Sequence, residues 1–384
     1  METERLYFID RLRFFAVIVL IFFHSALIFA AESNFPIKNN ELDGLLEELV
    51  FFIHGWRLAL LFFISGVGTS IALQFKGNAV FIKERFKRLF IPLVFGILVV
   101  VPPQIYFERL SQGFVFDSFG SFYLQSFSTG LYPYGNISWN HLWFVAYLLI
   151  YSVLSVPVFS CIKKQKAKWI EQVMSKGGIF LWSIPLAVVV VLLKPHSLGV
   201  QNIVDDLAMF FFYWLIFLSG FTIHQKSYWQ FFENKLVPLS VSVVLLTAVS
   251  YYMKWKFPQM ERGSFVFGTF NFIKAVNSWL WILTLLLFGK KLLNTDSKFL
   301  PLLNESVYPV YILHQTIIIC LGYFVVQQPW SISAKFLLMV SATILICFFL
   351  FLLLRLNKLT RLLFGMPSVS RFKGFQRNCK IPSK

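Results

Sequence analysis

The stretch Arg13-Phe-Phe-Ala-Val-Ile-Val-Leu-Ile-Phe-Phe-His24 decides the fold of this chain. Eleven residues carry a helix through about three turns and roughly 16 Å, so Arg13 and His24 share one face. Everything between them is apolar. An ionisable side chain inside such a run is costly in hydrocarbon and normally faces a bundle interior or a watery cavity, which marks a site. The competing reading is a histidine that hydrogen-bonds a neighbouring helix and only holds the bundle together.

Composition extends that reading to the whole chain. Of its 384 residues 57% are hydrophobic and only 14% charged, 47 are Phe, and the mean hydropathy is +0.69, far from the balance of a soluble domain. Windows of membrane-spanning length recur about ten times, near 13–31, 50–74, 89–107, 141–161, 178–193, 205–223, 236–253, 268–288, 304–325 and 335–354. The expectation is an all-α, polytopic integral membrane protein with about ten transmembrane helices. Residues 1–360 would form one membrane domain and 361–384 a basic cytoplasmic tail.

The formal charge of +17 is placed asymmetrically. With the N-terminus inside, the N-terminal segment, the even loops and the C-terminal tail hold 26 of the 35 Lys and Arg residues and leave nine elsewhere. That asymmetry predicts both termini in the cytoplasm and a multi-pass protein of the cell (inner or plasma) membrane. The cations after position 354 then face the anionic lipid leaflet, and the charge calls for no nucleic acid. The first apolar run is too long for a secretory signal core and contains His24, so it reads as a retained helix. Cys161, Cys320, Cys347 and Cys379 show no C-x-x-C spacing, which indicates neither a disulfide framework nor a metal site. The longest extramembrane stretch, about 108–140, is expected to fold back onto the outer face.

Topology brings further loaded residues into view. The ninth window runs from Asn304-Glu305-Ser306 through Pro309 to His314, at about the depth of His24. His54 and Arg57, at i and i+3 at the outer end of the second window, suit a sugar, a carboxylate or a lipid headgroup, or equally an interfacial anchor. His141 opens the fourth window in Asn140-His141-Leu142-Trp143, where anchoring is the simpler reading. Arg85 and Arg88 lie at i and i+3 in a cytoplasmic loop. Two guanidinium forks on one face suit phosphate oxygens, and juxtamembrane basic residues are also routine topology signals.

These residues in this order resemble the membrane acyltransferase-3 family. The resemblance rests on Tyr7-Phe8-Ile9-Asp10 with Leu12-Arg13 and His24, on Phe52-Ile53-His54 with Arg57, and on Phe62-Phe63-Ile64-Ser65-Gly66. It continues in the Arg85/Arg88 pair before Pro92, in His141-Leu142-Trp143-Phe144 and in Tyr311-Ile312-Leu313-His314. It covers about residues 5–365 and is strongest toward the branch that succinylates periplasmic glucans. The resemblance implies a membrane O-acyltransferase that moves an acetyl or succinyl group from cytosolic acyl-CoA to a hydroxyl of an exported or surface carbohydrate or glycolipid. Acyl-CoA would be a co-substrate, with no bound cofactor and no metal. Some relatives carry a fused extracytoplasmic domain; none is expected here, so a separate transferase partner or a homo-oligomer stays open.

On that reading Arg13, Arg85 and Arg88 hold the CoA phosphates, and His54, Arg57 and His141 hold the acceptor. His24 is the general base, since a neutral imidazole with a pKa of about 6.5 can accept a proton at cytoplasmic pH. His314 orients the acceptor, relays the proton or stabilises the oxyanion, and Glu305 positions a charged group from the inner end. A covalent acyl-histidine remains open beside direct transfer. Two other classes also stand: a transporter or flippase, because intramembrane histidines serve proton relays, and a non-catalytic membrane partner in glycan synthesis.

Overall fold

The computed structural model describes residues 6–31, 35–164, 177–197, 202–203, 205–220 and 233–367. Among them the regular secondary structure is helical, with one isolated bridge between Leu131 and Ile137. Eight helical stretches are long and apolar enough to cross a membrane: Gly44–Phe75, Asn78–Ser111, Asn140–Cys161, Ile179–His196, Leu236–Lys256, Phe265–Leu292, Leu300–Val325 and Ile332–Leu354. Two further apolar helices, Tyr7–Leu27 and Leu207–Ser219, are 21 and 13 residues long. The fold is all-α and polytopic. Residues 368–384, most of the expected basic tail, lie outside the described residues, as do 165–176 of the second basic loop.

The chain forms two compact units. The first comprises Met1–Ala16, Phe51–Ile82 and Tyr147–Ser297. Its helices Arg57–Phe75 and Leu207–Ser219 approach backbone to backbone: a Cβ added at Gly66 would sit 1.9 Å from the Phe217 carbonyl oxygen, and one at Gly220 2.3 Å from that of Phe63. Glycine is therefore required at both positions, as close helix packing in lipid demands. Aromatic side chains fill the rest, with Phe62 stacked on Tyr213 at 4.8 Å and the buried Trp279 indole donating to the Ile179 carbonyl at 2.7 Å.

The second unit comprises Val17–Val50, Lys83–Ala146 and Lys298–Lys384. Its stretch from Lys83 to Ser111 is not a regular α-helix, and the prolines explain why. Pro92 offers no N–H to the carbonyl of Arg88, and Pro102 and Pro103 offer none to Leu98 and Val99. The chain answers with wider π-helical turns at Phe86–Phe90 and Gly96–Val100, either side of the short helix Ile91–Phe95. After the second, the Gln104 N–H bonds the Val101 carbonyl at 2.8 Å, which leaves the Val100 carbonyl to a side-chain donor. Gly96 lets the next span come close, since a Cβ there would lie 2.4 Å from Leu142 Cδ1.

The end of Tyr7–Leu27 is closed by Lys38, whose ammonium donates to the Leu27 carbonyl at 2.8 Å and to the Ala30 carbonyl. Buried Lys335 donates to Asn39 Oδ1 at 2.8 Å and to the Val326 carbonyl at 3.0 Å, tying that loop to the end of Leu300–Val325. Lysines at helix C-termini complete exposed carbonyls and oppose the macrodipole.

Candidate active site

The first histidine ends up against the ninth-window histidine. His24, three residues before the end of Tyr7–Leu27, places Nδ1 2.9 Å from Nε2 of His314 in the middle of Leu300–Val325. The other nitrogen of His314, Nδ1, lies 2.6 Å from the Tyr311 carbonyl oxygen. A carbonyl only accepts, so His314 carries its proton on Nδ1 and presents a lone pair at Nε2. That lone pair makes His24 Nδ1 the donor, and the basic lone pair of His24 falls on Nε2. The tautomers of both rings thus follow from one backbone carbonyl. Phe35 stacks on the His24 ring with centroids 6.1 Å apart, while His314 is fully buried.

His141 is the third member of the cluster. Its ring meets that of His314 edge-on, with centroids 5.2 Å apart, and its Nε2 lies 3.0 Å from the Ile312 carbonyl. By the same argument Nε2 carries the proton and Nδ1 accepts, from Gln104 Nε2 at 3.4 Å. Buried Gln104 also donates to Thr316 Oγ1 at 2.7 Å, and that hydroxyl donates to the Val100 carbonyl freed by the π-helical turn, again at 2.7 Å. Asn140 Nδ2 donates to Gln104 Oε1 at 2.8 Å, and Gln315 Nε2 donates to Asn140 Oδ1 at 2.9 Å. Asn140 holds φ at 40°, in the left-handed region that asparagine tolerates better than most residues, with Ser138 Oγ accepting from its N–H at 2.9 Å. A neutral network of amides and a hydroxyl therefore fixes the imidazole next to the histidine pair.

The remaining sequence candidates lie elsewhere. Glu305, nine residues and about 13 Å before His314 on the same helix, is buried in an ion triad with Arg355 at 3.1 Å and Arg361 at 2.5 Å. Arg361 sits on the short helix Lys358–Leu363 and also donates to the Pro367 carbonyl. Arg85 ends the helix Asn78–Arg85 and Arg88 lies within the following π-helical turn. The i, i+3 spacing therefore spans the junction of an α-helix and a π-helical turn, where the sequence rule assumes one continuous α-helix. His54 and Arg57 likewise do not sit on one continuous helix. A turn at Gly55–Trp56 separates the end of Gly44–His54 from the start of Arg57–Phe75, and Arg57 is buried whereas His54 is exposed. Arg13, in the first unit, is 3.9 Å from Asp10 and has Gly68 beneath its guanidinium.

Gln104, Asn140, Gln315 and Thr316 were not singled out by sequence reasoning. The available signal was Pro102-Pro103 inside an apolar run, which predicts an irregular turn and a stranded carbonyl just before Gln104. Among the described residues no cluster of His, Cys, Asp and Glu has the makings of a metal site.

Comparison with known proteins places these residues in a family. The Acyl_transf_3 acyltransferase domain matches residues 6–352. Glucans biosynthesis protein C of Escherichia coli strain SMS-3-5 / SECEC is 24% identical over 401 residues, covering 100% of this chain and 99% of the relative. The protein of that name from Escherichia coli K12 gives the same identity and coverage. No solved structure matches the chain.

Proposed function

The chain belongs to the acyltransferase-3 family and is a multi-pass membrane acyltransferase, and we propose that it moves an acetyl or succinyl group from cytosolic acyl-CoA to a carbohydrate hydroxyl at the far side of the cell membrane. The observation that carries this reading is the hydrogen-bonded pair His24–His314, with its basic lone pair on His24 Nε2. The relatives' name connects them to glucans, which supports an exported glucan as the acceptor.

The charge asymmetry of the loops supports termini in the cytoplasm, which puts Arg85 and Arg88 on the side where acyl-CoA is made. Their guanidinium groups hold the CoA phosphates while the pantetheine arm carries the thioester toward His24. The acceptor hydroxyl enters from the opposite side. His24 Nε2 takes its proton as the oxygen attacks the thioester carbonyl carbon; the C–O ester bond forms, the C–S bond breaks, and the CoA thiolate leaves with the proton returned by His24.

As His24 becomes cationic, its Nδ1–H bond to His314 turns charge-assisted. Such bonds contribute about 1.5–3 kcal/mol, so His314 stabilises the charge that develops in the transition state. His141 forms a wall of the site with both ring nitrogens already bonded, and His54 and Arg57 attract an anionic or polar acceptor. Glu305 fixes the inner end of the helix that carries His314.

Mass spectrometry of envelope glycans from deletion and complemented cells tests the proposal. Complementation restores acetyl or succinyl esters on a glycan, and His24→Ala does not; unchanged glycan esterification on deletion would refute the carbohydrate acceptor.

A further inference from the structure

The helix Pro102–Ser111 buries a second polar side chain one turn beyond Gln104. Glu108 stands at i+4 from Gln104, so the two share a face about 6 Å apart along the axis, and Glu108 is 4% exposed. Its Oε1 accepts from the Tyr132 hydroxyl at 2.9 Å and from Gln112 Nε2 at 3.4 Å. Its Oε2 is buried with no hydrogen-bond partner among the described residues.

The neighbouring Arg109 bonds elsewhere. Its guanidinium reaches Asn136 Oδ1 at 3.1 Å, Gln112 Oε1 at 2.9 Å, and the Pro133 and Gly135 carbonyls at 2.8 and 3.0 Å, so it fastens the 112–140 loop. That loop brings Tyr132 onto Glu108, and burial together with the carboxyl charge pushes the Tyr132 phenol up to about 12, which keeps it a donor. On the other side, Ser111 Oγ, which donates to the Glu108 carbonyl at 2.7 Å, lies 3.3 Å from the Pro36 carbonyl, next to the Phe35 ring that covers His24.

A buried carboxyl oxygen without a partner carries the full desolvation penalty of that group, and native proteins leave few such atoms. The adjoining amides carry matching capacity. Gln315 Oε1 accepts no hydrogen bond among the described residues, and Asn140 Nδ2 has a second N–H beyond the one given to Gln104. Acceptors and a donor on Glu108 and on the amides bonded to Gln104, one helical turn before it, suit hydroxyls that each donate once and accept twice. Whether ionised, when it accepts, or protonated, when it donates, a carboxyl group is satisfied by such a hydroxyl.

We propose that Glu108, with Asn140 and Gln315, is the acceptor subsite and binds adjacent hydroxyls of a carbohydrate so that one of them faces His24. This rests on the acyl-transfer reading above and adds the groups that hold the sugar. Tyr132 orients the carboxyl group from the loop.

The test uses purified full-length protein with a glucose pentasaccharide, observed by saturation-transfer NMR and by steady-state kinetics with acetyl-CoA and succinyl-CoA. Glu108→Gln is expected to weaken pentasaccharide binding and raise its KM about 10-fold or more, with the KM for acyl-CoA within twofold of wild type. Tyr132→Phe, at a half-exposed loop position, gives a smaller rise of the same kind and serves if Glu108→Gln fails to fold. Pentasaccharide affinity unchanged in both variants, or absent from the wild type, would overturn the subsite. Absence of CoA release by the wild type, with Glu108-dependent binding intact, would instead overturn the acyl-CoA reading and leave the subsite standing.

Discussion

His24 Nδ1 and His314 Nε2 lie 2.9 Å apart, and the Tyr311 carbonyl on the far nitrogen of His314 fixes which of them donates. The arrangement has the logic of a nucleophile-activating triad with a backbone carbonyl at its end instead of a carboxylate. His314→Ala removes the acceptor that stabilises the His24 cation, and the loss of about 1.5–3 kcal/mol predicts a fall in kcat of roughly 10- to 150-fold. His314→Gln offers an amide oxygen to His24 and an N–H to Tyr311, so it recovers part of that loss. Single-turnover rates at saturating substrates measure both, and equal rates for Ala and Gln at 314 would remove His314 from the relay.

The approach of Gly96 to Leu142 gives a second prediction, because it sets the position of His141 one residue away. Gly96→Val drives new methyl groups into a fully buried leucine, an overpacking that costs about 1–3 kcal/mol. The melting temperature in detergent falls and kcat falls with it. Leu142→Ala opens the space and restores part of both in the double variant; no coupling between the two substitutions would refute the contact.

Gln104 is the hub of the amide network, and Gln104→Leu strands Asn140 Nδ2 and His141 Nδ1. Leaving buried polar atoms unmade costs about 1–3 kcal/mol each before relaxation. A drop in melting temperature with a drop in kcat is expected, whereas a variant as stable and as active as wild type would show that the network does not hold the site.

How much of this was legible in the sequence follows from the kind of signal each residue gives. His24 and His314 stand out because an ionisable group in an apolar run is conspicuous, and helix geometry alone put them at one depth. Gln104, Asn140, Gln315 and Thr316 carry no charge and lie more than 200 residues apart at the extremes, so only the folded chain shows that they bond each other. The interfacial surroundings of His141 favour an anchor over a site residue, yet it is buried beside His314. For Arg85/Arg88 and His54/Arg57 the i, i+3 rule assumed continuous α-helix. A π-helical turn before Pro92 and the Gly55–Trp56 turn broke that assumption. Glu305 was read as a positioning group, but its partners Arg355 and Arg361 are 50 or more residues away and no local pattern names them.

That ion triad carries its own prediction. Removing one member of a buried ion pair costs up to about 3–5 kcal/mol, and Arg361 is the more buried of the two arginines, with Arg355 at 37% exposed. Arg361→Ala therefore lowers the melting temperature more than Arg355→Ala, whose solvent-screened contact contributes less. Equal shifts would contradict the burial argument.

The proposal predicts that the two basic sites separate by substrate. Arg85→Ala or Arg88→Ala raises the KM for acyl-CoA and makes the residual activity less sensitive to salt, while Arg57→Ala raises the KM for the acceptor. Lysine at 85 or 88 restores charge without the planar fork and recovers activity only in part. The same KM pattern for Arg57 and Arg85 variants would end the two-faced assignment.

The most direct test of the central claim is the initial rate of CoA release by the purified protein from acetyl-CoA or succinyl-CoA in the presence of the glucose pentasaccharide, for wild type and for folded His24→Ala. Loss of a general base costs about 10²- to 10⁴-fold, so the account predicts acceptor-dependent CoA release by the wild type that falls by at least 100-fold in His24→Ala. Release at a near-normal rate by His24→Ala, or transmembrane flux of substrate without any histidine-dependent release, would contradict it.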